Sequence, residues 1–372
     1  MAAHGCAASG ARMLAESIDW VALRLLAMRP ASNLKFIQLS DWPDRLKDSK
    51  CLVEQLELFN ESQFAAKQIR SLYDHAEKHL NVIKSIDCDV ICFEDERYPQ
   101  LLKAIYDPPV VLFSRGNLQA LNEPQVAMVG GRKSSSLARA TAQRFAQELT
   151  QAGVHVTSGL AIGIDQAAHQ GAIHAGPGKT VAVMANGPDL VYPQRHQRLA
   201  QQMLDSGGLL VTEQLPGIQP RPYLFPERNR IISGMSLGTL VVEAAIKSGS
   251  LVTARLALEQ GREVFAIPGA ITNELARGCH HLIKEGAQLV ESVPDILASL
   301  YLPLSSGSDN SDDTLPIETD NPIIRALNQQ SLTADQLATK LTIPIGQLQT
   351  LLVELEISGI IGREGARYVV LR

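Results

Sequence analysis

From Gln125 onward the chain alternates short apolar runs with longer stretches in which apolar residues recur every three or four positions. The runs Val126–Val129, Val154–Thr157, Thr180–Met184, Leu209–Thr212, Thr239–Val242 and Glu263–Ala266 are β-branched or apolar at most positions and predict buried strands. The stretches Ser136–Ala152, Ile164–His174, Arg195–Leu204 and Leu251–Gln260 carry helical periodicity. Strands alternating with such helices predict a mainly parallel sheet covered on both faces. Upstream, a strand at Asp87–Phe93, a helix at Tyr98–Ile105 and a short strand at Val110–Phe113 precede this rhythm. Residues 14–85 are helical in pattern, with short helices predicted at Trp20–Met28, Leu52–Leu58 and Ala65–Ala76. Near the C terminus, helices at Leu332–Lys340 and Ile345–Ile357 flank the turn Thr342-Ile343-Pro344, and Ile360–Leu371 reads as a hairpin. That order is a winged helix.

The pattern divides the chain into five parts. Residues 1–13 are small and Ala-rich, lack the apolar segment of a signal peptide, and are expected to be disordered, with Met13 as an alternative start. A small helical domain (14–85), an α/β domain (86–300), an acidic linker (301–321) and a winged-helix domain (322–372) follow. Within the linker, Ser305–Asp320 holds five acidic residues and no basic one, which predicts flexibility.

Composition narrows the chemistry. The 372 residues are 45% hydrophobic and 20% charged, ordinary for a globular protein, and the net charge of −5 is unlike that of a dedicated duplex-DNA binder. A nucleic-acid site would have to be a local patch. The five cysteines show no metal or redox spacing, which fits a reduced cytoplasmic setting, and no run of eighteen apolar residues predicts a membrane span. Neither a metal site nor a cofactor is predicted.

The densest chemistry lies between Phe225 and Ala254. Arg228, Asn229 and Arg230 sit in a short helical segment. A buried strand follows, then the loop Lys247-Ser248-Gly249-Ser250 opens a helix that carries Thr253. Ser250 is expected to be its N-cap. A helix N terminus with hydroxyls and a nearby lysine suits phosphate, and two neighbouring arginines suit a polyphosphate or a nucleic-acid backbone. The loop Gly130-Gly131-Arg132-Lys133 also joins a strand to a helix. It lacks the glycine spacing of the dinucleotide fingerprint and the acidic residue some twenty positions on, which disfavours NAD, and a generic phosphate contact by the loop and Arg132 is favoured over a merely structural turn.

Other motifs have plainer explanations. Gly176-Pro177-Gly178-Lys179-Thr180 precedes a strand rather than a helix and is a turn, not a P-loop. Asp165 and His169 share a helix face, where bracing of the Ser158-Gly159 turn is favoured over acid–base or metal chemistry. Glu213 and Glu243 end strands, as catalytic carboxylates or as partners of Arg228 and Arg230. The helix Ile345–Ile357 has no Lys or Arg, so a protein-binding or orienting role is favoured for the winged helix over major-groove reading.

The blocks VAMVGGRKSS, SGLAIGIDQAAHQGAI, PDLVYP, FPERNRIISGMS, LVVEAAIKSGSLVTARLALEQGREVFAIPG and GCHHLIKEGA, in this order, resemble the DNA-processing protein A family, DprA or Smf, from about Tyr98 to Ile296. The resemblance implies an extended Rossmann-like core and a degenerate helix-hairpin-helix or SAM-like N-terminal domain. It implies a non-enzymatic, dimeric binder of single-stranded DNA that protects incoming strands, works around single-strand-binding protein and loads RecA during natural transformation. Its phosphate contacts would fall on Gly130, Arg132, Lys133, Ser158, Gly159, Arg228, Asn229, Arg230, Lys247, Ser248, Gly249, Ser250 and Thr253. Three positions depart from the family pattern: Gly131 replaces a serine, Ile162 a basic residue and His280 an asparagine. The N-terminal helices also lack the Gly-x-Gly turn of a helix-hairpin-helix, so no DNA contact is assigned to them. The alternative is a nucleotide-binding or nucleoside-monophosphate-hydrolysing enzyme of related fold, although the PGGxGT loop of such enzymes is absent.

Overall fold

The computed structural model describes Val21, residues 66–302 apart from Pro177, and residues 323, 326–327, 332–341, 343–357, 361–364 and 367–370. The expectations for residues 1–13, for the helices Trp20–Met28 (Val21 excepted, which is helical and buried) and Leu52–Leu58, and for the linker 305–320 lie outside the described residues. The chain divides into two compact units, residues 1–307 and 308–372.

In the first unit, α1 (Ala66–Ser85) leads into β1 (Asp89–Cys92), the short α2 (Gln100–Lys103) and β2 (Val111–Gly116). Then come β3 (Gln125–Val129), α3 (Ser136–Gln151), β4 (His155–Ser158), α4 (Ile164–Ala175), β5 (Thr180–Val183), α5 (Gln197–Asp205) and β6 (Leu209–Thr212). The second half holds α6 (Leu224–Gly234), β7 (Gly238–Val241), α7 (Ser250–Glu259), β8 (Glu263–Ala266), α8 (Arg277–Lys284), β9 (Gln288–Leu289) and α9 (Val293–Ser299).

The described strands form a nine-stranded sheet in the order β1-β2-β6-β5-β4-β3-β7-β8-β9. From β6 to β9 every pairing is parallel, whereas β2 runs antiparallel to β6 and β1 antiparallel to β2. The chain steps outward from β3 to β6 and then returns to the other side of β3 with β7. The crevice between the carboxyl ends of β3 and β7 is therefore the topological switch point, where open α/β sheets bind ligands.

Alternate residues of each strand fill different cores, as the two-residue period requires. On β3, Val126 and Met128 pack with Phe145 and Leu149 of α3, while Ala127 and Val129 join Ile231 of α6 and Ala254 of α7 on the opposite face. Both faces of the parallel part are covered, as the sequence predicts. At the start of α3, the Ser135 hydroxyl accepts the Ala138 N–H at 3.1 Å.

The second unit holds α10 (Ala334–Leu341), α11 (Ile345–Ile357) and the hairpin β10 (Ile361–Glu364) with β11 (Arg367–Val370). Leu332 bridges Tyr368 as a third extended element. Leu337 of α10, Leu348 and Leu352 of α11 and Tyr368 of β11 share its core. This is the predicted winged-helix arrangement.

Candidate nucleic-acid interface

Glu243, just beyond the neighbouring strand β7, fastens the loop after β3. The main-chain oxygen of Glu243, just beyond β7, accepts the Gly131 N–H at 2.7 Å. The Glu243 side chain accepts the Ser135 N–H at 2.7 Å and the Ser135 hydroxyl at 2.9 Å. The anion-binding position at the N terminus of α3 is thus filled by the protein's own carboxyl group. Gly130 is closed in, since a Cβ there would stand 2.4 Å from Ile164. Arg132 and Lys133 project outward and are exposed.

The Arg-Asn-Arg block points largely inward. Arg228 is 5% exposed, and its Nη1 donates to the Gly159 carbonyl at 2.8 Å and to the Val183 carbonyl, joining the ends of β4 and β5. Burial lowers its pKa to about 10, opposed by Asp165, so the guanidinium remains charged at neutral pH. Nε of Arg228 donates to the Asn229 side chain at 3.2 Å. Arg230 pairs with Glu213 at 2.7 Å and with Asp107 at 3.3 Å. Burial disfavours its charge, but these two carboxylates outweigh burial and raise its pKa. The helix carrying this block is clamped to the carboxyl edge of the sheet by its own arginines.

Ser158 and Gly159 are also engaged internally. The Ser158 hydroxyl donates to the Met128 carbonyl at 2.6 Å. Asp165 accepts the Gly159 N–H at 3.1 Å and the Ala161 N–H at 3.3 Å, the brace expected for this turn. Burial raises the Asp165 pKa, against the pull of Arg228 and of these N–H groups. His169 plays no part in the brace and contacts Thr180 Oγ1 at 2.8 Å. Of the two strand-end glutamates, Glu213 pairs with an arginine and Glu243 holds a helix start.

At α7 the N-cap is Gly249 rather than Ser250. Ser250 is the first helical residue, and its hydroxyl contacts Ser248 Oγ at 2.7 Å. Lys247 and Gly249 are exposed, Ser248 half-buried, and Ser250 and Thr253 buried. This loop opens at the same edge of the sheet as the β3 loop. Ile162, where the resemblance implies a basic residue, is half-buried, and His280 Nε2 lies 3.0 Å from the Gly269 carbonyl oxygen.

Around these loops lies a surface not picked out from the sequence. The Arg132 guanidinium lies over the Phe225 ring at 5.1 Å, and the Tyr192 ring stands 5.8 Å from Phe225 at a tilt of 51°. Tyr192 and Tyr223 are exposed. Arg195 follows Tyr192, Arg221 precedes Phe225, and both are exposed. Among the described residues no ion pair involves Arg132, Lys133, Arg195 or Arg221. The aromatic residues lie far apart in sequence, on PDLVYP and FPERNR, so only the fold unites them. The signal available was the aromatic residue inside each block.

No group of three His, Cys, Asp or Glu side chains among the described residues is arranged to hold a metal ion. No described helix is long and apolar enough to cross a membrane.

Comparison with known proteins matches this architecture. The sequence model of DNA recombination-mediator protein A matches residues 89–301, and that of the DprA winged helix domain matches residues 312–366. Protein Smf of Escherichia coli K12 is 38% identical over 363 residues, covering 94% of this chain and 95% of its own. DNA processing protein DprA of Streptococcus pneumoniae is 48% identical over 204 residues, 55% of this chain and 71% of its own. An X-ray structure of the pneumococcal protein superposes with a TM-score of 0.63 at 36% identity, covering 73% of this chain and 95% of that one. DNA processing protein A of Helicobacter pylori, whose structure describes a single-stranded DNA binding mode, superposes at 0.52 and 26% identity, over 57% of this chain and 95% of that one. The chain belongs to the DNA recombination-mediator protein A (DprA/Smf) family.

Proposed function

We propose that this protein binds single-stranded DNA along the carboxyl edge of its parallel strands and acts without catalysis as a recombination mediator. One observation carries this proposal: the Arg132 guanidinium, without an ion pair among the described residues, lies over Phe225 beside the exposed Tyr192. A cation joined to aromatic faces suits a strand whose phosphates need neutralising and whose bases are free to stack. Duplex bases are already stacked and do not reach such rings. Arg132, Lys133, Arg195, Arg221, Lys247 and the Ser248-Gly249-Ser250 loop would meet phosphates. Gly130, Ser158, Gly159, Arg228, Asn229, Arg230 and Thr253 would support binding by fixing the edge from which those groups project. Contacts of this kind are backbone-dominated and sequence-tolerant.

Family membership extends the proposal to homodimerisation, protection of incoming strands in the cytoplasm, cooperation with single-strand-binding protein and delivery of the strand to RecA. A nucleotide-hydrolysing role draws no support from the switch point, where Glu243 occupies the place of a nucleotide phosphate at α3.

Fluorescence anisotropy with a labelled single strand and its duplex across a salt series tests the assignment. Tight, salt-sensitive binding to the single strand with weak duplex binding is expected. Equal affinity for both, or no binding at low salt, would overturn it.

A further inference from the structure

Glu243 fastens both ends of the segment that carries Arg132 and Lys133. Its main chain holds Gly131 at 2.7 Å, and its side chain holds the Ser135 N–H and hydroxyl. The same carboxyl accepts the Asn273 side-chain amide at 3.1 Å, which ties in the loop after β8. Glu243 is only 6% exposed and makes no described pairing with a lysine or arginine. The three residues Arg132 to Ser134 lie between these two fixed points.

We infer that Glu243 is a positioning residue for nucleic-acid binding: it carries the same sign of charge as the ligand, yet it is needed to aim Arg132 and Lys133. The inference rests on the single-stranded DNA assignment above. Its physical basis is geometric. A glutamine at 243 keeps one carbonyl oxygen for two N–H donors that the carboxyl group meets with separate oxygens, Ser135 N–H on Oε2 and the Asn273 amide on Oε1, and its own NH2 faces whichever donor is left. A released Ser135 lets the start of α3 fray, and the arginine above Phe225 loses its fixed base.

The sign of the effect separates positioning from bulk electrostatics. If Glu243 acted only as a negative charge near the strand, removing that charge would strengthen binding. If it positions the cations, E243Q weakens binding. With a labelled oligothymidylate, E243Q in the full chain is expected to bind about tenfold more weakly, with a salt slope lower by about 0.7 for each phosphate no longer neutralised. In an R132A/K133A background the same substitution should change nothing further, because the groups it positions are gone. Ser135→Ala removes one of the three donors and leaves Glu243 in place. It should shift affinity in the same direction by about two- to threefold, and it keeps the inference testable if E243Q does not fold. Equal or tighter binding by folded E243Q would overturn the inference, and so would an undiminished effect in the R132A/K133A background. Failure of the unsubstituted protein to bind oligothymidylate at low salt would instead overturn the single-stranded DNA assignment.

Discussion

The Arg228 guanidinium occupies the space that a side chain on Gly159 would need: Nη1 donates to the Gly159 carbonyl at 2.8 Å, and a Cβ at 159 would stand 2.4 Å from Nη2. The two residues come from different blocks, and each explains the other. Glycine is required because the arginine lies against it, and the arginine is held because two carbonyls accept from it. Gly159→Ala must displace the guanidinium and is expected to destabilise the fold by about 1–3 kcal/mol. Urea unfolding of G159A, R228A and the double variant checks this. Losses in the double variant should be clearly less than additive, since both single changes disrupt the same packing. Additive losses would mean that the two sites are independent.

Arg132 and Arg228 should fail differently. Arg132 is exposed and has no described ion partner, so Arg132→Ala is expected to leave the unfolding midpoint nearly unchanged and lower the single-strand salt slope by about 0.7. Arg228→Lys offers one ammonium where two carbonyls and a planar group were accommodated, so it should lower the melting temperature while preserving the slope of the folded protein. Calorimetry paired with anisotropy distinguishes them. A normal melt with a reduced slope for R228K would place that arginine on a phosphate after all.

Much of this architecture is legible in residue order. The strands Leu209–Thr212 and Glu263–Ala266 and the helix Ile345–Ile357 have the bounds that their apolar patterns predict. The directions of β1 and β2 are not legible, because an apolar run has no polarity until its partner is known. The two-residue β9 has no period to read, whereas α8 and α9 show apolar residues at i, i+3 and i+4 (Cys279, Leu282 and Ile283; Val293, Ile296 and Leu297) in segments of only eight and seven residues, and at α9 the Ser-x-x-Asp spacing adds a start signal, with Asp295 accepting the Ser292 N–H at 2.9 Å. At the candidate interface, sequence identifies the arginines but not which way they face. Whether Arg228 meets a phosphate or a carbonyl depends on Gly159 and Val183, far away in the chain.

Phe225 should contribute affinity without contributing charge. Stacking of a base on an aromatic face is worth about 1–3 kcal/mol by alanine substitution. Phe225→Ala is therefore expected to weaken single-strand binding by that amount, apart from any loss of support for Arg132. Phe225→Tyr should retain it. If the ring acts chiefly by stacking bases, the salt slope of F225A will stay within about 0.3 of the parent, well short of the change for one phosphate. A slope drop matching R132A would mean that the ring serves only to hold the arginine.

His169 gives the fold an acid-sensitive point. It is fully buried, its Nδ1 lies 2.8 Å from Thr180 Oγ1, and its Nε2 has no hydrogen-bond partner among the described residues. Burial, reinforced by the charges of His196 and Arg228, lowers its pKa to about 3 from the ordinary value of 6.5. Between those values the unfolded chain binds a proton that the folded chain excludes. The stabilising contribution is therefore complete above pH 6.5 and is lost as pH falls toward 3. From pH 7.5 to pH 5 this single group should cost about 2 kcal/mol. His169→Asn loses packing and starts from lower stability at pH 7.5, but it has nothing to protonate, so its stability should fall less steeply. Urea unfolding of both proteins at the two pH values measures the difference. The gap between them should narrow by about 2 kcal/mol at pH 5, whereas parallel declines would show that His169 is already charged in the fold or that other groups set the acid limit.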